Sequence, residues 1–176
     1  PPELLEGLPQ QRVLLHPGTS SFAAFKRWPS ECFAALAQRL DARGVGVVIG
    51  YGPGERDLAA PALEAAPRSR AADGAQLGLT GLAGVMQQCR VVVAADTGPL
   101  HLGAAVGARC VALFGPKDHN RYGPRAHGDV RHEIIRHEVP CRPCRRRTCA
   151  SPQCVLGVGV DQVERAVLRL LGVAPS

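Results

Sequence analysis

Asp96, Thr97 and Gly98, with His101 three residues further on, place an acid, a hydroxyl, a bare backbone and an imidazole within six positions. They follow an apolar run, Val91 to Ala95, and precede Pro99. That order predicts a buried strand, a tight turn and a helix starting at Pro99, where a missing N–H costs nothing. Free amide groups and the positive end of the helix dipole then face one point, which suits a phosphate. His101 in the first turn could donate to that phosphate, with Asp96 orienting it. Two further loops carry matching chemistry. His16 to Pro29 supplies the hydroxyls of Thr19, Ser20 and Ser21 and the point charge of Lys26. Gly50 to Glu55 supplies glycines that admit a close ligand and a carboxylate suited to ribose hydroxyls. Each loop also has a plainer reading. The first is a solvated loop over a packed Trp28, the second ends in a helix-capping glutamate, and the third joins a strand to a helix around a locally bonded histidine. The second lacks the full dinucleotide fingerprint, so NAD is weakly supported.

These loops need elements to bring them together. Arg12–His16 reads as a first strand broken by Pro17-Gly18. A helix near Ser30 follows, with Phe33, Leu36, Ala37 and Leu40 inward and Gly44 as its stop. Val45–Ile49 is a second strand, 55–65 a helix interrupted at Pro61, and 69–72 a weak third strand. Leu79, Leu82, Val85, Met86 and Cys89 have the spacing of an inward helical stripe. Cys110–Phe114 completes a strand–helix–strand unit with Val91–Ala95, and Glu133–Arg136 is a last short strand. In the terminal helix Asp161 and Glu164 read as an N-cap pair, with Val163, Val167, Leu168 and Leu171 inward. Alternating strands and helices imply an α/β, Rossmann-like, doubly wound and mostly parallel sheet, with ligands at the carboxyl ends of its strands.

The 176 residues suit one domain, and 45% apolar with 20% charged residues is the composition of a soluble globular protein. No apolar run approaches the ~20 residues needed to cross a bilayer, and there is no charged-then-apolar leader. The chain opens on Pro1, Pro2 and Glu3 without methionine, so it reads as a fragment, with residues 1–11 a linker and 12–176 the domain. The net charge of +6 comes from 19 arginines against two lysines, Lys26 and Lys117. In so arginine-rich a chain, each lysine marks a place where a compact ammonium suits better than a planar fork.

Taken in order, HPGTSS with K-R-W-P, GYGPGE, ADTGPLHLGAAVGARCVALFGP and CRPCRRRTC with a following cysteine resemble the C-terminal half of the family 9 glycosyltransferases, the heptosyltransferases, over roughly residues 12 to 154. The resemblance implies half of a GT-B architecture, whose N-terminal acceptor-binding domain is missing from this chain. It implies ADP-L-glycero-D-manno-heptose as donor, no further cofactor, and a lipopolysaccharide inner-core precursor as acceptor. It also implies a cytoplasmic protein, peripheral to the inner membrane. By motif, Thr19, Ser20 and Lys26 would contact the diphosphate, with Lys26 stabilising the leaving group. Asp96, Thr97, Gly98 and His101 would surround sugar and phosphates, Glu55 would hold the ribose, and Gln76-Leu77 would lie against adenine. The stretch ADGAQLGLTG departs from the family's apolar strand and small-residue helix start, which weakens the last assignment. No Asp-x-Asp motif is present, so a leaving-group site without metal fits the sequence better. Transfer with inversion is implied, but the family's general base lies in the other half. The fragment is therefore expected to bind donor and transfer nothing. A non-catalytic nucleotide-binding module, and a zinc-bearing nucleic-acid-binding domain, are the alternatives.

Cys32, Cys89 and Cys110 fall on core faces. Cys141, Cys144, Cys149 and Cys154 follow a C-x2-C-x4-C-x4-C spacing that could hold zinc or an iron–sulfur cluster but matches no standard signature; because the resemblance includes the cluster without implying a metal, a structural thiol-rich loop ranks first, zinc second and a disulfide third. Between Lys117 and Arg147 stand nine Lys or Arg against four Asp or Glu. With Tyr122 the only aromatic there, base stacking is poorly served; a solvated basic face and attraction to anionic phosphates of lipid or acceptor are the other readings. His119, His127, His132 and His137 lack metal spacing and read as surface residues.

Overall fold

The computed structural model describes residues 2–125, 128–146 and 148–173. Pro1, His127, Arg147 and the last three residues of the expected domain lie outside them. Six strands, β1 (Arg12–His16), β2 (Gly46–Tyr51), β3 (Arg70–Asp73), β4 (Val91–Ala95), β5 (Arg109–Leu113) and β6 (Glu133–Ile135), form one sheet. Their spatial order is β3-β2-β1-β4-β5-β6, and every neighbouring pair is parallel. Parallel pairing needs covered faces, which is why β2 and β4 are apolar throughout and β1 is apolar from Val13 to Leu15. The chain starts in the middle of the sheet and winds outward twice, so the loops after β1 and β4 diverge from adjacent strand ends. That divergence opens a crevice at the topological switch point.

One face of the sheet is covered by α1 (Ser30–Ala42), α2 (Arg56–Ala65) and α7 (Val160–Leu171), with Phe33, Leu36, Val167 and Leu168 fully buried against Val13, Leu15, Ile49 and Val93. The other face carries α3 (Gly74–Gln87) and α4 (Gly98–Ala105), whose Val85, Met86 and Leu100 pack on Leu14, Val48 and Val92. Leu5 and Leu8, in the stretch read as a linker, are buried in this second layer, so its apolar side chains are part of the core. Four-residue helices α5 (His119–Tyr122) and α6 (Gln153–Leu156) punctuate the long loops beyond β5 and β6.

Several local expectations shift for identifiable reasons. α2 runs through Pro61 without a break. The proline removes only the bond to the carbonyl of Asp57, which stands exposed in the first turn. α7 is not capped by its acids: its N-cap is Gly159, with no side-chain bond. Asp161 instead pairs with Arg39, and buried Glu164 accepts from Arg39 and Arg43 at 3.0 Å each, tying α7 to α1. Leu79 does not turn inward but is 73% exposed, because Gly78 at φ +63° breaks α3 and resets its phase. Cys32 is only half-buried, whereas Cys154 is buried. His132 is no bystander: its Nδ1 accepts the amide of Cys110 at 3.1 Å, bracing the start of β5. His119 is half-buried against Phe114 and 3.1 Å from Arg136.

Candidate functional site

A cavity of about 590 Å³ lies over the β1–β4 switch point. The loop after β1 forms its first wall. It contains a 3-10 helix, Ser21–Lys26, that the polar composition did not announce. Thr19 fixes this loop: its hydroxyl donates to the carbonyl of Ala23 at 3.2 Å and accepts from Nε of Arg27 at 2.9 Å. Trp28 anchors the loop's exit, buried with its indole N–H on the carbonyl of Val158 at 2.8 Å and its edge on Phe33. Ser20 is exposed on the cavity rim.

The anchored 3-10 helix delivers Lys26 to the turn after β4. Its ammonium donates to Oδ2 of Asp96 at 2.7 Å and to the Asp96 carbonyl at 3.4 Å. Both side chains are largely buried. Thr97 is the N-cap of α4, yet its hydroxyl donates to the carbonyl of Ala95 at 3.1 Å, leaving the helix without a side-chain cap. The ammonium's charge is matched by Asp96, so the uncapped amides at the start of α4 are the positive feature left facing the cavity.

Glu55 closes the third wall. It stands at the N-cap position of α2, but its side chain makes no capping bond; its Oε2 accepts the amide of Gly52 at 2.9 Å. The carboxylate lies against Gly18, where any Cβ would overlap it. Beneath it, His16 is 2% exposed, and among the described residues neither ring nitrogen has a hydrogen-bond partner. Burial pushes its pKa down, and the charge of Glu55 and the backbone at Gly18 and His16 only partly oppose that. Burial thus favours the neutral form of His16 in the fold.

Of the residues singled out from sequence, Thr19, Ser20, Lys26, Glu55, Asp96, Thr97 and Gly98 meet around this one cavity. His101 stands outside its lining, half-exposed, with Nε2 3.8 Å from Oδ1 of Asp96. Gln76 and Leu77 do not line it either: Leu77 packs on the second core layer, and the backbone reversal at Gly78 presents Leu79 instead. Sequence reasoning missed His16, Phe22 and Leu79. The period break at Gly78 was the only available signal for Leu79, and nothing in the pattern marked His16 as partnerless.

A model of glycosyltransferase family 9 (heptosyltransferase) matches residues 4–155. The chain belongs to glycosyltransferase family 9. Among relatives in this family, lipopolysaccharide heptosyltransferase 1 of Pseudomonas aeruginosa is 35% identical over 124 residues, covering 70% of this chain and 34% of that protein. The family 9 glycosyltransferase of Veillonella parvula superposes with a TM-score of 0.79 at 25% identity, over 97% of this chain and 49% of that one. The ADP-heptose lps heptosyltransferase II of Escherichia coli shares the fold at a TM-score of 0.76 and 23% identity, over 92% and 46%. This family 9 chain thus spans about a third of the length of the first relative and about half of each solved structure.

The four clustered cysteines border a separate small cavity of about 60 Å³, with Phe25 and Val139 among its apolar walls. Among the described residues, no three His, Cys, Asp or Glu side chains are grouped so as to hold a metal ion. No helix among them is long and apolar enough to cross a membrane.

Proposed function

We propose that this chain is the donor-binding half of an inverting heptosyltransferase, with ADP-L-glycero-D-manno-heptose as donor and a lipopolysaccharide inner-core precursor as acceptor. The meeting of Lys26, Asp96, the uncapped start of α4 and Glu55 around one switch-point cavity supports this reading most directly. Lys26 and the α4 amide dipoles take the diphosphate, and Glu55 takes the ribose hydroxyls. Thr19 serves through the loop it holds, and Ser20 offers its hydroxyl at the rim. The adenine lies against Leu79 rather than Leu77, which is half-buried against the second core layer. Asp96 sets the position of Lys26, with His101 behind it.

In the transfer, an acceptor hydroxyl forms a bond to the anomeric carbon as the bond to the diphosphate oxygen breaks, inverting that carbon and releasing ADP. The acceptor's proton passes to a base in the partner half of the molecule. Negative charge grows on the departing phosphate, so a fixed ammonium and fixed amide dipoles stabilise the transition state more than the bound donor. The acceptor half precedes this one, and the donor domain begins with Leu5 and Leu8. By itself the chain binds donor and transfers nothing.

Calorimetric titration with ADP, ADP-heptose, UDP-glucose and a short DNA duplex tests the reading. Binding of ADP and ADP-heptose, with UDP-glucose clearly weaker, is expected. Equal affinity for ADP and ADP-heptose with no sugar-dependent heat would favour a plain nucleotide-binding module. Binding of DNA alone would overturn the reading.

A further inference from the structure

Four of the cysteines gather where the donor site makes no use of them. Cys141, Cys144, Cys149 and Cys154 all border the cavity of about 60 Å³, with Arg142 and Arg146 on the same walls. Cys141 and Cys149 are exposed, Cys144 is half-buried and Cys154 is buried. Burial raises the pKa of the Cys154 thiol, and Cys141 and Cys149 lie near enough to add to that rise. Among the described residues no three such side chains are grouped to hold a metal ion, whereas a disulfide needs only two. An exposed thiol and a buried one on the walls of one small void can react in turn. The exposed thiol meets a reagent from solution, and guanidinium groups beside it favour its thiolate.

The loop that bears these thiols is fastened to the sheet. Arg142 donates from Nε to the carbonyl of Gly115 and from Nη2 to that of His137, each at 2.8 Å. The amide of Cys144 donates to the carbonyl of Pro116, also at 2.8 Å. A new bond across the cavity must therefore move the cavity's other walls. Two contacts lead from there to the donor site. Phe25, a wall of the thiol cavity, directly precedes Lys26 in the 3-10 helix. Cys154 lies on α6, and two residues beyond the end of α6 the carbonyl of Val158 accepts the indole N–H of Trp28.

We propose that the thiol cluster is a redox modification site, in which a small-molecule disulfide joins Cys154 to an exposed neighbour and the new bond displaces the Lys26 helix. The thiolate of Cys141 or Cys149 attacks the small disulfide, breaking its S–S bond and releasing one small thiol. The thiolate of Cys154 then attacks the protein sulfur of the mixed disulfide, forming the Cys–Cys bond and releasing the second. Both protein protons end on the two small thiols; the chain loses two electrons and the small disulfide gains them. The effect on nucleotide binding rests on the donor reading of the first cavity, but the bond and the movement of the helix do not.

The reduced chain is incubated with oxidised glutathione at pH 8 and mapped by peptide mass spectrometry. The expected product carries one intramolecular disulfide that includes Cys154. Trp28 is the single tryptophan, so its emission should shift on oxidation and return with dithiothreitol. ADP affinity should fall by about fivefold or more, the lower end for coupled sites. Cys141→Ser/Cys149→Ser, which changes only exposed positions, should show none of these effects. Four free thiols after treatment, or a disulfide that omits Cys154, would overturn the proposal. So would a Cys154 disulfide with unchanged Trp28 emission, or zinc held stoichiometrically by the four thiols and blocking the exchange. A reduced chain that binds no ADP would remove the donor reading, while the emission change still decides the redox coupling.

Discussion

The ammonium of Lys26 lies 2.7 Å from the carboxylate of Asp96 although seventy positions separate them in the chain. The pair spans the β1–β4 switch point and joins the two loops that border the cavity. A pair so largely buried holds its geometry better than a surface pair, because little water competes for either charge.

Replacing Lys26 by Ala should weaken ADP binding by about 1.5–3 kcal/mol, the range for a lost charge-assisted hydrogen bond. Calorimetry at fixed ionic strength measures this directly, and an unchanged affinity removes Lys26 from the site. Asp96→Asn keeps the side-chain shape but leaves a largely buried ammonium without its counter-charge, and should lower folding stability by about 3 kcal/mol, read from urea melts.

Gly18→Ala should act through Glu55. The new methyl overlaps the carboxylate, which must leave its bond to Gly52. The expected outcome is weaker binding of ADP, with the preference for ADP over its 2′,3′-dideoxy analogue lost. Because both changes remove the same interaction, Gly18→Ala combined with Glu55→Ala should cost little more than either alone. Simple additivity in that cycle would refute the coupling.

His16 makes stability depend on pH. Its pKa is lowered in the fold by burial, so on acidification the unfolded chain takes up the proton first. The contribution is complete above the ordinary histidine value and declines as pH falls from there toward the lowered folded value, by up to about 1.4 kcal/mol per pH unit. Urea melts at pH 7.5 and 5.5 should show a larger acid loss for the parent chain than for His16→Asn. Equal losses would count against a buried neutral imidazole.

The cysteines should separate by reactivity. Burial pushes the thiols of Cys89 and Cys110 up to about 12, while Cys141 and Cys149 are exposed. Alkylation at pH 8, read by mass spectrometry, should modify Cys141 and Cys149 first and reach Cys89 and Cys110 only on unfolding. Labelling of all four at one rate in the folded chain would contradict this placement.

Much of the fold is legible in the chain because its signals are local. Val91–Ala95 is a strand with the expected bounds, since a parallel strand covered on both faces must be apolar throughout. The helical stripe Phe33, Leu36, Ala37 and Leu40 is buried as its spacing requires. Signals that depend on partners are not legible in this way. Asp161 and Glu164 have the spacing of a cap, but arginines on α1 compete for them, and a paired carboxylate gains more there than at a solvent-facing amide. Leu79 keeps the helical period on paper, yet one glycine with positive φ turns it from core to cavity wall.

From the residues alone come the alternation of strand and helix, the three loops with phosphate and ribose chemistry, and the motif order of family 9. Tertiary structure alone decides that Lys26 meets Asp96, that Glu55 rests on Gly18 above a buried His16, and that Lys117, Arg145 and Arg146 share one hollow. The physical reason is range. Periodicity and turn chemistry act over a few residues, whereas these contacts depend on strand order, which places residues tens of positions apart at one edge of the sheet.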